Sequence, residues 1–369
     1  MRSTSPPAAT TFRRQRERPR PEIAMRDTVH QRAFFPNIQA ARAFAALAVV
    51  AYHMHVLPFG QAGVDVFFVI SGFIMSWIAP DEGRTFFHKR LVRIVPLYWV
   101  TTLGIYAIAV LRPHWLNTTT AAPEYLVKSL LFVPYVKENG HWGPLNLNGW
   151  TLEYEMLFYL AVAASLWVVG AHRATAFAAL MLASLCLWAA IDGTPGTIAH
   201  HLGQPFVLEF GLGVLAYRVL QTGIVRRIAA PAWAFAAIGA VVAIPLSHAV
   251  YGTPQAFARI VLWGMPACVL IVSLVALDML NRTISNRILA SLGAASYSIY
   301  LIHPYIIGVA EKIVDVRANL HTWPGVASAC ATLGVICLSG QVCHIWIERP
   351  IVSVLNRWLR QSRFSTRSP

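Results

Sequence analysis

The sequence predicts an all-α polytopic membrane helical bundle of about ten transmembrane helices, with both termini cytoplasmic, and three observations lead there. The first is composition. Hydrophobic residues make up 56% of the 369-residue chain and charged residues 12%, with mean hydropathy +0.54. Soluble proteins carry roughly 25% charge, so the chain argues against disorder, coiled coil and a secreted disulfide scaffold. The second is a series of long runs without Asp, Glu, Lys or Arg, the longest being 228–258 and 318–347. The third is where the net charge of +14 sits. Residues 1–36 hold eight Arg against three acids and residues 349–369 hold five Arg and no acid, so the tails carry ten of the fourteen charges. The middle is nearly neutral.

A span needs about 20 mainly apolar residues to cross roughly 30 Å of hydrocarbon. Splitting the charge-free runs at Pro, Gly and polar clusters gives helices near 38–57, 62–80, 94–111, 151–170, 174–192, 203–220, 229–248, 257–277, 294–311 and 325–347. Backbone groups in lipid must be bonded internally, and these runs are too continuous for barrel strands. With the N-terminus inside, 23 Lys and Arg fall on the tails and inner loops and six on the outer side, Arg42 lying inside the first span. That bias sets the orientation. The chain divides into an Arg/Pro-rich tail over 1–36, expected to be disordered, a membrane domain over 37–350 and a basic tail over 351–369. Met25 is a second candidate start, and Arg13-Arg14 lacks the apolar stretch and cleavage site of a twin-arginine signal. Cys186, Cys268, Cys330, Cys337 and Cys343 all fall in spans; their odd count and apolar settings read as buried small hydrophobes.

Ionisable groups inside spans are costly and therefore candidates for function. Span one carries Arg42 and His53, eleven residues apart, which places them on one helix face roughly 16 Å apart along the axis. His53 suits a general base; alternatively, Arg42 snorkels to the inner headgroups and His53 bonds a neighbouring helix. His55 falls on another face, near the membrane surface. Asp65 opens span two, where it can orient His53 or cap the helix, and Ser71-Gly72 permits close helix approach. Arg90 and Arg93, three apart, share a face before span three and suit either phosphate or anionic lipid. The outer loop, about 112–150, holds Trp115, Trp142 and Trp150 with an Asn/Gly-rich patch. Span four offers Glu155 and Tyr159 as i, i+4 neighbours, with Glu153 nearer the surface and solvated. Glu209 is a buried acid in span six. Ser296, Tyr300 and His303 form a polar stripe on span nine, as glue or as part of a site. Glu348-Arg349 locks the end of span ten.

Arg42 and His53 with ten residues between, then GVDVFFVISGF, FFHKRLVRIVP, NGWTLEYEMLFY, SYSIYLIHP and IERP, closely resemble the acyltransferase 3 family, in family order and over about 37–355. The GWTLEYEMLFY form is most similar to its exopolysaccharide acetyltransferase branch. The resemblance implies a membrane O-acyltransferase of the cytoplasmic (inner) membrane. It implies transfer of an acyl group, acetyl in the first instance, from cytoplasmic acyl-CoA to a hydroxyl of an extracytoplasmic or lipid-linked carbohydrate. It makes His53 the prime catalytic residue and Arg42 its matching arginine, with Asp65 or Glu155 orienting His53. Arg90 and Arg93 are then the donor-binding pair, and Trp150, Tyr159, Ser296, Tyr300 and His303 bind substrate or support the site. No permanently bound cofactor and no metal is expected; acetyl-CoA is a substrate. Membrane lipid, carbohydrate and polysaccharide biosynthesis proteins are the expected partners.

Three other readings are weighed. A secondary transporter also has midplane charges but favours inverted repeats, and no repeat is seen here. A metal enzyme using His53, His55 and Asp65 fails because i, i+2 residues do not share a helix face. Nucleic-acid binding by the Arg tails is unnecessary once they set orientation.

Overall fold

The computed structural model describes residues 35–115, 120–192, 194–313 and 322–365. The expected disordered tail, 1–36, lies outside them except for its last two residues. Each of the ten segments expected to span the membrane falls on a helix, and no strand forms among the described residues. The helices are α1 (Pro36–His53), α2 (Ala62–Glu82), α3 (Phe86–Leu111), α4 (Pro123–Leu130), α5 (Trp150–Val168), α6 (Ala174–Asp192) and α7 (Val207–Gln221). They continue as α8 (Ala230–Tyr251), α9 (Ala256–Met279), α10 (Arg287–Ala294), α11 (Ser296–Ile313), α12 (Trp323–Cys343) and α13 (Arg349–Ser365). Much of the segment expected to be a basic tail is thus helix α13.

Among the described residues, six helical stretches are long and apolar enough to cross a membrane, and α10 with α11, bent by 72°, makes a seventh if counted as one span. One of the six, Ala62–Leu111, contains both α2 and α3, joined by a 3-10 turn at Gly83–Thr85. Two expected spans fall short of that measure for visible reasons. Helix α1 carries Asn37, Gln39, Arg42 and His53, and α7 has only 15 residues. Both are wrapped by other helices, so their polar side chains meet protein rather than lipid. Asn37 shows how: its side chain donates to Leu274 O at 3.2 Å and Arg282 O at 3.0 Å, and accepts from Ile284 N at 2.7 Å.

Close approach of α2 and α7 holds the centre. A Cβ on Gly72 would lie 2.1 Å from Phe210 O, and one on Gly213 would lie 2.2 Å from Val69 O. Small residues let the two backbones touch, as the Ser71-Gly72 pair led us to expect. The resulting core draws on α2, α3, α5, α6 and α7 through residues such as Phe68, Phe158 and Phe210. Val50 on α1, Ile299 on α11 and Ile336 on α12 belong to a second cluster. The first cluster abuts α1 and α11 on one side, and the functional residues collect along that seam.

Candidate active site

A cavity of about 110 Å³ lies where α1, α2, α3, α5 and α11 meet. One water occupies some 10–15 Å³ on this measure, so there is room for several waters or a small acyl group. Phe67, Phe68, Ile74 and Met75 form an apolar wall, and Arg42, Ser71, Arg93, Glu155, Tyr159 and Ser296 supply polar groups. The Arg42 guanidinium donates from Nε and Nη2 to Ser296 Oγ at 3.2 and 3.0 Å. A hydroxyl does not neutralise it, and among the described residues no carboxylate pairs with Arg42 or Arg93. Glu155 Oε1 accepts from Ser71 Oγ at 3.2 Å and from Tyr159 one turn away. Two guanidiniums against one carboxylate leave the lining attractive to an anion.

The polar stripe of α11 runs along α1 in the same direction. Ser296 meets Arg42 at one end, and His303 Nε2 lies 3.2 Å from His53 Nδ1 at the other. Between them Tyr300 lines the cavity, its hydroxyl 3.0 Å from Thr151 Oγ1. Two asparagines of the Asn/Gly-rich patch clasp the outer loop onto this stripe. Asn146 accepts from Tyr305 OH at 3.3 Å and donates to Thr101 Oγ1 at 3.1 Å. Asn148 Nδ2 donates to Tyr300 O at 2.5 Å. Pro304 explains that bond: it has no N–H to give the carbonyl four residues back, so the Tyr300 oxygen is open to an outside donor.

Several expected placements are corrected. Asp65 does not orient His53 through the bonds observed. Its carboxylate accepts from Arg259 Nε at 2.9 Å and Nη2 at 2.7 Å, while His53 Nδ1 faces Val49 O at 2.9 Å and His303. Helix α9 brings a guanidinium to Asp65, and a buried carboxylate takes the full charge partner over a ring nitrogen. Glu155 lines the cavity with Arg42 and Arg93, and its observed bonds run to Ser71 and Tyr159. Arg90 and Arg93 part company. Arg90 is buried and donates to both Glu82 oxygens at 3.0 and 3.2 Å, whereas Arg93 lines the cavity. Trp150 packs on Phe206, with ring centroids 5.6 Å apart, and does not line the cavity. Glu153 is not solvated: it is 3% exposed and lies 3.2 Å from His201 Nε2, because the outer loop covers it and stacks Trp142 on that imidazole. Glu348 takes Ser298 Oγ at 2.7 Å and His344 Nδ1 at 2.9 Å as partners across a π-helical turn, His344–Glu348.

Sequence reasoning missed Arg259, placed in an outer loop, although it is the lone charge separating two long apolar runs. It also missed Thr151, Asn148 and His201, which carry no periodic signal. Among the described residues no three His, Cys, Asp or Glu gather into a metal-binding group.

Residues 35–340 match the profile of a family described as an acyltransferase domain. Exopolysaccharide production protein ExoZ of Rhizobium meliloti (strain 1021) is 33% identical over 311 residues, covering 81% of this chain and 91% of that protein. Acyltransferase MdmB of Streptomyces mycarofaciens is 27% identical over 370 residues, 87% of this chain and 92% of that protein. Peptidoglycan O-acetyltransferase OatA of Listeria monocytogenes is 30% identical over 161 residues, 39% of this chain and 26% of that protein. No solved structure matches the chain.

Proposed function

The chain belongs to the acyltransferase domain family and is a multi-pass membrane acyltransferase, and from that premise we propose that it moves an acetyl group from cytoplasmic acetyl-CoA to a carbohydrate hydroxyl across the membrane. The acceptor class is an exopolysaccharide or its lipid-linked precursor, in line with the name of the Rhizobium relative. The observation that carries this reading is the seam itself: one polar stripe joins an anion-attracting cavity at Arg42 to an imidazole pair at His53.

In this reading Arg93 and Arg42 hold the anionic carrier and its thioester carbonyl, as forked donors suit. The orientation read from charge puts both termini in the cytoplasm of a ten-span bundle in the inner membrane, so the arginines face the donor and His53 faces the acceptor. His53 Nε2 takes the acceptor hydroxyl proton as the oxygen attacks the thioester carbon. The new C–O bond forms, the C–S bond breaks, and the proton passes to the departing CoA thiolate. Glu155, held by Tyr159 and Ser71, offsets part of the charge of the two arginines. Arg90, already matched by Glu82, shapes the helix end that presents Arg93.

The test is acetyl transfer in membranes from cells expressing the chain. His53→Ala, inserted at normal levels, is expected to lose transfer. Wild-type turnover by that variant overturns the reading.

A further inference from the structure

The ring of His53 meets a second imidazole where the sequence suggested a carboxylate. Its Nδ1 lies 2.9 Å from Val49 O and 3.2 Å from His303 Nε2. His303 is fully buried, and its Nδ1 lies 3.2 Å from Ile299 O and 3.5 Å from Asn148 Nδ2. The protons are assigned from the acceptors around each ring nitrogen. A carbonyl oxygen only accepts, so His303 Nδ1 carries the hydrogen it gives to Ile299. The Asn148 amide has two hydrogens: one goes to Tyr300 O, and the other lies on the longer of the two contacts that His303 Nδ1 makes, 3.5 Å against 3.2 Å to Ile299 O, so the ring hydrogen is assigned to the shorter contact. Neutral His303 therefore presents a lone pair at Nε2, toward His53. With that assignment the hydrogen between the rings sits on His53 Nδ1, where the Val49 carbonyl also accepts it. A neutral His53 so held keeps its lone pair on Nε2.

We infer that His303 is a positioning residue that sets the tautomer and ring plane of His53 and shares the charge that His53 gains when it takes a proton. This inference rests on the reading of His53 as the base. One acceptor at Val49 fixes the tautomer, yet leaves the ring able to swing about its bonds. A second acceptor from another helix fixes the plane as well. When Nε2 is protonated, the positive Nδ1–H has two acceptors, and a charge-assisted bond is roughly twice as strong as a neutral one. An imidazole suits this role inside a membrane better than a carboxylate, because it is neutral at rest and needs no counterion of its own. Asp65 illustrates the alternative: as a buried anion it is held by Arg259.

The experiment uses the full chain in lipid nanodiscs and proteoliposomes. Nitrogen-15 histidine spectra are expected to show His53, identified by its loss in His53→Asn, with Nδ1 protonated and Nε2 bare. Acetyl-CoA turnover is followed as free thiol released against polysaccharide from the producing cells. His303→Leu is expected to lower kcat by about tenfold or more with the KM for acetyl-CoA nearly unchanged. His303→Gln, whose side-chain carbonyl accepts from Nδ1–H, is expected to recover part of the loss, which a purely packing role would not produce. Wild-type kcat in His303→Leu alongside an inactive His53→Ala overturns the inference and leaves the base intact. Activity in His53→Ala overturns the base reading itself. A wild-type His53 protonated on Nε2 overturns the inference even if the Leu variant does not fold.

Discussion

Arg259 and Arg42 are both arginines inside an apolar bundle, and their surroundings could hardly differ more. Arg259 is closed on every side. Asp65 takes Nη2 at 2.7 Å and Nε at 2.9 Å, the Gln61 carbonyl shares Nη2 at 3.3 Å, the Gln61 side chain takes Nη1 at 3.3 Å, and the rings of Phe206 and Trp263 lie 5.0 and 4.9 Å from its centre. Arg42 hydrogen-bonds one neutral hydroxyl and faces a cavity, with the Glu348 and Glu155 carboxylates acting on it only through space. A buried charge whose partners are all internal holds helices together, here α9 to α2. A buried charge left for a cavity has its partner still to come. The difference teaches that burial alone does not mark a functional charge in a membrane; an unspent valence facing open space does.

The largest loss belongs to Asp65→Ala, which strands the Arg259 guanidinium. Thermal unfolding in detergent should show a loss of about 3–5 kcal/mol, the usual cost of halving a buried pair. Replacing both partners, Asp65→Leu with Arg259→Met, should restore most of it; a double variant as unstable as the single one would mean that the pair does more than fill space. The mirror experiment is Arg42→Gln. Acetyl transfer should fall by about a hundredfold, equivalent to ~2.7 kcal/mol of transition-state stabilisation, with the melting temperature nearly unchanged. If the melting temperature instead collapses while the remaining folded protein turns over normally, Arg42 belongs with Arg259. Gly213→Ala tests the scaffold between the two regions: its Cβ meets Val69 O at 2.2 Å, so about 1–3 kcal/mol of stability should go. The smallest contrast lies within the arginine pair of α3. Arg93→Gln should raise the KM for acetyl-CoA by about tenfold, ~1.4 kcal/mol, and Arg90→Gln should leave that KM alone while modestly destabilising the turn held by Glu82. Equal effects on KM would restore them as a matched pair.

The helices were largely legible because they are written locally. Charge-free runs and their breaks place most of the long helices within a few residues, save where a turn intervenes, as after His53, where α3 begins at Phe86 before its run, or where α13 continues past the last span; the short helices α4 and α10 carry no such signal. The polar stripe Ser296, Tyr300 and His303 was legible for the same reason: i, i+4 and i+7 must share a face, and the structure finds Arg42, Thr151 and His53 against those three residues in turn. Asp65 shows the limit. Its proximity in sequence to His53 suggested a partnership, yet its partner comes from 194 positions away. Arg90 and Arg93 share a helical turn, but Glu82 claims one and the cavity the other. Glu153 looked solvated because no sequence pattern announces that a loop will fold over it.

Membrane class, most of the long helices, the small-residue contact at Gly72 and the blocks that tie this chain to its family are thus local properties of the sequence. The sequence also narrowed the functional search to a few buried ionisable residues. Only the tertiary structure decided which of those are spent and which are available. Helix formation and burial follow from neighbours within a few residues, whereas the pairing of Asp65 with Arg259, or of His53 with His303 at a separation of 250 residues, depends on which helices come to lie side by side. A buried charge takes whichever partner reaches it in space, and that is a property of packing that no local pattern carries.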